Sequence, residues 1–161
     1  MADVDLETLD LATLSWLAGS AGNEHLLSAI RAAGHPQLRV SHGYVFQLLI
    51  EGPLTVGEIA DGLGVTQQAA SKVVLELTSL GYLSALADTA DRRVRRVVLS
   101  DRGKTAVADA RAARRRLEKR LSAAIGASGM RAARRALITL LEASGGLAAA
   151  RQRRAKPTSL L

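Results

Sequence analysis

The sequence predicts a mainly α-helical protein with one small β-hairpin, in which a winged helix-turn-helix lobe is carried on an α-helical dimerisation body. Three observations predict it. Ala (29 residues) and Leu (26 residues) dominate the apolar positions, while only Trp16, Tyr44, Phe46 and Tyr82 are aromatic, a composition of strong helix formers. Mid-chain, two short amphipathic segments meet at a glycine-containing turn and run directly into two apolar stretches that flank a polar loop. At both ends, apolar residues recur every three to four positions over long spans. A chain of 161 residues fits a single domain over 1–161, with 55–100 as the winged lobe, 6–32 and 101–145 as dimerisation helices, and 147–161 as a basic, flexible tail.

Each element has its own signal. Leu6, Leu9, Leu14, Leu17, Ala21, Leu27 and Ile30 predict one long helix over 6–32, weakened at Gly19 and Gly22 and ended by Gly34-His35-Pro36. A second helix is expected over 38–50, with Val45, Leu48 and Leu49 inward, before Glu51-Gly52-Pro53 breaks it. Thr55-Val56-Gly57-Glu58 is a capping box, because Thr55 can accept from a backbone N–H while Glu58 reaches back to the cap. The short helix it opens stops at Gly62-Leu63-Gly64, where glycine permits a positive φ. Thr66 caps the next helix, which runs to about Leu80 with Ala70, Val73, Val74 and Leu77 inward. Tyr82–Ala87 and Val94–Ser100 are expected strands around the charged loop Asp88-Thr89-Ala90-Asp91-Arg92-Arg93. Ser100 caps a helix to about Ile125, Gly126 through Gly129 interrupt it, and a last helix covers about 130–144.

Charge separates the halves. Residues 1–63 hold eight acids and two bases, net −6, whereas residues 64–161 hold seven acids and 20 bases, net +13. Arg makes up 18 of the 22 basic residues, the side chain suited to bidentate contact with phosphate and guanine, which favours a polyanionic partner. Cys is absent, which removes disulfides, thiolate metal sites and thiol redox chemistry. No apolar run approaches the ~20 residues of a membrane span. The opening MADVDLETLD is acidic, unlike a secretory signal, so a cytoplasmic protein without a membrane partner is expected.

The candidate DNA-binding residues follow from this layout. Gln67, Gln68, Ser71 and Lys72 occupy the first two turns of the second helix: Gln pairs with an adenine edge, Ser adapts, and Lys reaches guanine or phosphate. Backbone N–H groups near Thr55 and Thr66 can take phosphates at the helix amino ends. In the hairpin, Arg92, Arg93, Arg95 and Arg96 are placed to stand beside the neighbouring groove, and Asp91 can accept from one of them and hold the loop. A plain helical hairpin with a solvated polar face, and a merely solubilising charged turn, are the bland alternatives.

Leu63-Gly64-Val65-Thr66 through Ser71-Lys72-Val73-Val74, Leu80-Gly81-Tyr82-Leu83, Asp91-Arg92-Arg93 and Val97-Val98-Leu99-Ser100-Asp101-Arg102-Gly103 resemble the multiple-antibiotic-resistance regulator (MarR) family over roughly 6–145. The resemblance implies a homodimeric winged-helix repressor of double-stranded DNA. It also implies a pseudo-palindromic operator that is released when a small phenolic or lipophilic effector enters the crevice between body and lobe. By position, Gln67, Gln68, Ser71 and Lys72 fall on its recognition face and Arg93 on its wing arginine, with Asp91 orienting it. Leu75 and Thr78 depart from the pattern, standing where charged residues are usual, and Ala69 replaces a common Thr.

No cofactor or metal is expected. His25, His35 and His42, with Glu24, could be imagined as a zinc site but read as scattered surface histidines. Trp16, Tyr44 and Phe46 read as core, with an effector pocket as the alternative. Nucleophile elbows, phosphate-binding loops and dinucleotide fingerprints are missing, so catalysis is not expected. The competing function is an Arg-rich helical dimer that binds RNA or an acidic protein. An Asp-Arg-Arg hairpin argues against it, since a helical adaptor needs no wing.

Overall fold

The computed structural model describes residues 4–87 and 95–151. After a 3-10 turn at Leu6–Thr8, the elements are α1 (Leu11–Ala32), α2 (Val40–Leu49), α3 (Val56–Leu63), α4 (Gln67–Ser79), β1 (Leu83–Ala87), β2 (Arg95–Leu99), α5 (Asp101–Ala143) and α6 (Leu147–Arg151). The two strands pair antiparallel, Leu83 opposite Leu99 and Ala87 opposite Arg95. Leu54 extends this ribbon by a single bridge, exchanging backbone hydrogen bonds of 3.1 and 2.7 Å with Val97.

Helix ends follow their caps. Thr66 Oγ1 accepts from Ala69 N–H at 3.2 Å, and Ser100 Oγ accepts from Gly103 N–H at 3.1 Å. Gly64 closes α3 with φ +66°. The long helix expected over 6–32 is shorter at its start: Asp10 accepts from Thr13 N–H at 2.9 Å and from the Thr13 hydroxyl at 2.6 Å, which caps a new helix at Leu11 and leaves 6–8 as a separate turn. Those bonds, the hydroxyl's first, hold the Asp10 carboxyl below the ordinary carboxylate range. Past Gly19 and Gly22 the helix is continuous. Gly126 interrupts α5 with φ +66° and ψ 175°, and the chain folds back there, since Arg134 pairs with Glu118 across the bend. The expected tail at 147–161 begins as the helical turn α6; residues 152–161 lie outside the described residues.

A single core fills the space between α2, α3, α4, the ribbon and the start of α5. Val45, Ile59, Ala70, Leu77 and Tyr82 are fully buried in it, and Leu27 is its only buried contribution from α1. Phe46 joins this core and Tyr44 packs at its margin, but Trp16 is 71% exposed and lies outside the core formed by the described residues. One joint has no tolerance. A Cβ on Gly103 would stand 2.2 Å from the Tyr82 carbonyl oxygen, so α5 can seat against the wing root only with glycine there.

Candidate nucleic-acid interface

The helix-turn-helix is built on local hydrogen bonding. At the amino end of α3, Thr55 N–H donates to Glu58 Oε2 at 2.7 Å and Glu58 N–H donates to Thr55 Oγ1 at 3.2 Å. That end therefore already holds a carboxylate, and Thr55 itself is half-buried. The amino end of α4 differs: its first turn carries no acid, and Thr66 is exposed. An anion meets positive N–H dipoles without an opposing charge only at the second of these ends.

Helical geometry divides α4 into two faces. Ala70, Val73, Val74 and Leu77 are buried against the core, which fixes the opposite line of Gln68, Lys72, Leu75 and Ser79 toward solvent. Gln67 is exposed beside this line and Ser71 is half-buried at its edge. Thus Thr66, Gln67, Gln68, Ser71 and Lys72 form one continuous polar surface, and Leu75, 66% exposed, extends it by a turn.

The wing is partly described. Arg95 is exposed on β2. Arg96, expected beside it, turns back instead: its Nη1 lies 3.4 Å from Glu58 Oε2 and 3.5 Å from the Pro53 carbonyl oxygen, which ties the wing root to the start of α3. Asp91, Arg92 and Arg93 lie outside the described residues. At the other end of the ribbon, Arg102 donates to the Leu80 carbonyl at 2.8 Å and stacks over the Tyr82 ring at 4.5 Å, fixing the angle between α4 and β1.

The histidines overturn a surface reading. His25 is exposed, but His35 is 4% exposed and His42 fully buried. His35 bridges three elements, Nδ1 lying 3.1 Å from the Tyr82 hydroxyl and Nε2 3.1 Å from Asp109 Oδ2 on α5. His42 Nε2 lies 3.0 Å from Arg39 Nη2 and 3.5 Å from Glu76 Oε1, and Arg39 donates to the other Glu76 oxygen. Burial, followed by the Arg39 charge, pushes the His42 pKa below its ordinary value, and Glu76 offsets only part of that. Sequence reasoning missed Arg39, His42 and Glu76 as a group. The available signal was Glu76, the only acid in α4, three turns along an otherwise uncharged or basic helix.

Behind the lobe, α1, α2 and α5 enclose a cavity of about 390 Å³. Leu27, Phe46 and Val107 line it with apolar surface, and among the described residues Arg39, Arg111 and Arg114 bring the charges in its wall. Phe46 therefore serves both readings made of it, core and pocket wall. Among the described residues, no group of three or more His, Asp or Glu is placed to hold a metal ion, and no helix is long and apolar enough to cross a membrane.

Residues 37–94 match the family model described as the MarR family. The chain is similar in structure to the YusO protein of Bacillus subtilis (TM-score 0.67, 21% identity, 88% of this chain and 99% of that one). It is also similar to a MarR-like transcriptional regulator of Thermotoga maritima (TM-score 0.66, 22% identity, 85% and 98%). A third similar structure is the transcriptional repressor CouR bound to a 23-mer DNA duplex (TM-score 0.64, 25% identity, 89% and 99%). No curated protein matches the sequence at a significant level. The match and the likenesses agree with the winged helix-turn-helix expected from the sequence, a mostly helical chain with a two-stranded antiparallel ribbon.

Proposed function

We propose that this chain is a DNA-binding transcription regulator of the MarR family, a homodimeric repressor that leaves its operator when a small lipophilic or phenolic molecule fills the cavity between α1, α2 and α5. One observation carries the reading. The polar line of Gln68 and Lys72, with Gln67 and Ser71 beside it, faces outward from a helix whose other face is locked into the core, on a surface with no acid in its first turn. That arrangement fits a major groove, where Gln and Lys meet base edges. Backbone N–H groups at the Thr66 end take a phosphate, and the Thr55 end contributes less because Glu58 occupies it. Arg95 with Arg92 and Arg93 lies along the adjacent groove, Asp91 holding the loop, as the sequence resemblance implies.

Two copies related by a two-fold axis require a pseudo-palindrome whose half-sites are about 10 base pairs apart centre to centre. The test is selection of bound sequences from random duplex DNA, followed by titration of the selected duplex at several salt concentrations. A pseudo-palindromic motif with log affinity falling linearly against log salt supports the reading. An asymmetric half-site, or equal binding of RNA and duplex DNA, overturns it and favours the Arg-rich interaction protein.

A further inference from the structure

The outward line of α4 is polar except at one position. Gln68, Lys72, Leu75 and Ser79 share that line, and Leu75 is 66% exposed between Lys72 and Ser79. Ala70, Val73, Val74 and Leu77 occupy the opposite, buried face, so Leu75 takes no part in the core. Among the described residues it is the only large apolar side chain that α4 exposes. The one carboxylate of this helix, Glu76, is drawn toward the start of α2, since Arg39 donates to one of its oxygens and His42 lies 3.5 Å from the other. No acid therefore stands on the outward line beside Leu75.

The spacing suits a groove. Leu75 follows Gln68 by seven residues, which returns it to the same side of the helix about 10.5 Å further along the axis. That separation is about three base-pair steps. Side chains on this line meet successive bases where the helix lies in a major groove, Gln68 and Lys72 by hydrogen bonds and Leu75 by apolar contact alone. Leu75 offers neither donor nor acceptor, and the one methyl group that a base pair presents in the major groove is that of thymine.

We propose that Leu75 is a specificity-determining residue: its side chain packs on the C5-methyl of one thymine in each half-site. The operator then carries a fixed T·A pair about three steps from the base that Gln68 meets. The proposal deepens the DNA-binding reading above and rests on it. Closing Leu75 against a thymine methyl takes two apolar groups out of water. A C·G pair at that position sets the cytosine amino donor against an aliphatic wall, and an unpaired polar group costs binding.

The experiment uses the full chain and the duplex selected from random DNA. Each thymine of that duplex is replaced in turn by deoxyuridine, which removes the C5-methyl and keeps every hydrogen-bonding atom, and fluorescence anisotropy gives the affinity. In the wild type, one dT→dU change per half-site lowers affinity about fourfold, the worth of one buried methyl, and changing both half-sites lowers it about fifteenfold. In Leu75→Ala, affinity for the unmodified duplex falls and the dT-to-dU ratio at that position drops to about one. The slope of log affinity against log salt stays unchanged in this variant, because no charge is lost. Leu75→Met, which keeps an apolar arm of similar reach, retains most of the ratio. Lys72→Ala weakens both duplexes and preserves the ratio. A dT-to-dU ratio that survives in Leu75→Ala at every sensitive position assigns the methyl to another side chain and overturns the proposal. So does a selected half-site without a fixed T·A pair, or a wild type indifferent to every deoxyuridine, and in both cases the DNA-binding reading stands. If Leu75→Ala instead turns dimer into monomer by light scattering and keeps the ratio, the residue belongs to an interface between copies and the proposal falls. If no duplex sequence is enriched at all, the DNA-binding reading and this one fall together.

Discussion

The winged lobe and the helical body of this chain satisfy their apolar residues very differently. In the lobe, α3 buries Ile59, Ala60 and Leu63 within eight residues and α4 buries four of its 13. In the body, α1 buries only Leu27 in 22 residues, and α5 buries nothing beyond Ala113 although it continues to Ala143. Leu121, Ile125, Leu137 and Ile138 are each 45–48% exposed, and Trp16 is 71% exposed. The lobe's core is complete within one chain, while the body leaves a series of large apolar side chains about half exposed or more, the kind of surface that marks an interaction site where it is contiguous. The difference teaches that folding of the lobe and covering of the body are separable problems, and in the homodimer proposed above a second copy would cover both stripes.

The largest expected effect comes from breaking the body. Leu121→Glu combined with Ile138→Glu places carboxylates on that surface, and light scattering at micromolar concentration should report monomers. Because each protomer then holds one half-site alone, operator affinity should fall about a hundredfold or more. A double variant that stays dimeric and binds normally would show that the apolar surface is not the interface.

Breaking the lobe should act on stability instead. Leu77 is fully buried, and Leu77→Ala should cost about 2–5 kcal/mol in denaturant unfolding, the cost of a large-to-small core substitution. Leu75→Ala, on the exposed face of the same helix, should change stability by less than about 0.5 kcal/mol. Equal losses for the pair would contradict the division of α4 into two faces. At the joint between the two regions, Gly103→Ala forces a methyl against the Tyr82 carbonyl and should cost about 1–3 kcal/mol, the usual penalty of overpacking.

The lobe was more legible in the sequence than the body for a related reason. Caps and turns act locally, so Thr55-x-x-Glu58, Thr66 and Ser100 announced their helices, and the period of Ala70, Val73, Val74 and Leu77 named the buried face of α4. The break at Leu9-Asp10 was missed because the apolar period runs through it, while the Asp10–Thr13 cap overrides it. Leu54 gave no sign of joining the ribbon, since a single bridge leaves no alternation to detect. The candidate recognition residues were visible as a polar run on an amphipathic helix. The Arg39–His42–Glu76 group was not, because Arg39 and Glu76 lie 37 positions apart and meet only when α2 packs on α4.

The smallest effect expected is a pH dependence that belongs to the lobe alone. His42 is buried between two charged groups, Arg39 from the start of α2 and Glu76 from α4, and its folded pKa lies below the ordinary value of 6.5. A folded pKa depressed below the unfolded one means that the unfolded chain takes up a proton more readily. The contribution of neutral His42 to stability is therefore fully present above about pH 6.5 and is lost progressively as pH falls from there toward the folded value. Structurally, the protonated ring carries a donor on both nitrogens and can accept from neither the Arg39 backbone N–H nor its guanidinium, which leaves two cations in contact with Glu76 shared between them. His42→Gln keeps a polar side chain without a titration near neutrality. Denaturant unfolding of wild type and His42→Gln at pH 7.5, 6.5 and 5.5 tests this, because their difference cancels every group the substitution leaves alone, His25 and His35 included. The wild type should lose more stability relative to the variant between pH 6.5 and 5.5 than between 7.5 and 6.5. Parallel curves across the whole range would mean that the buried ring does not titrate against the folded state.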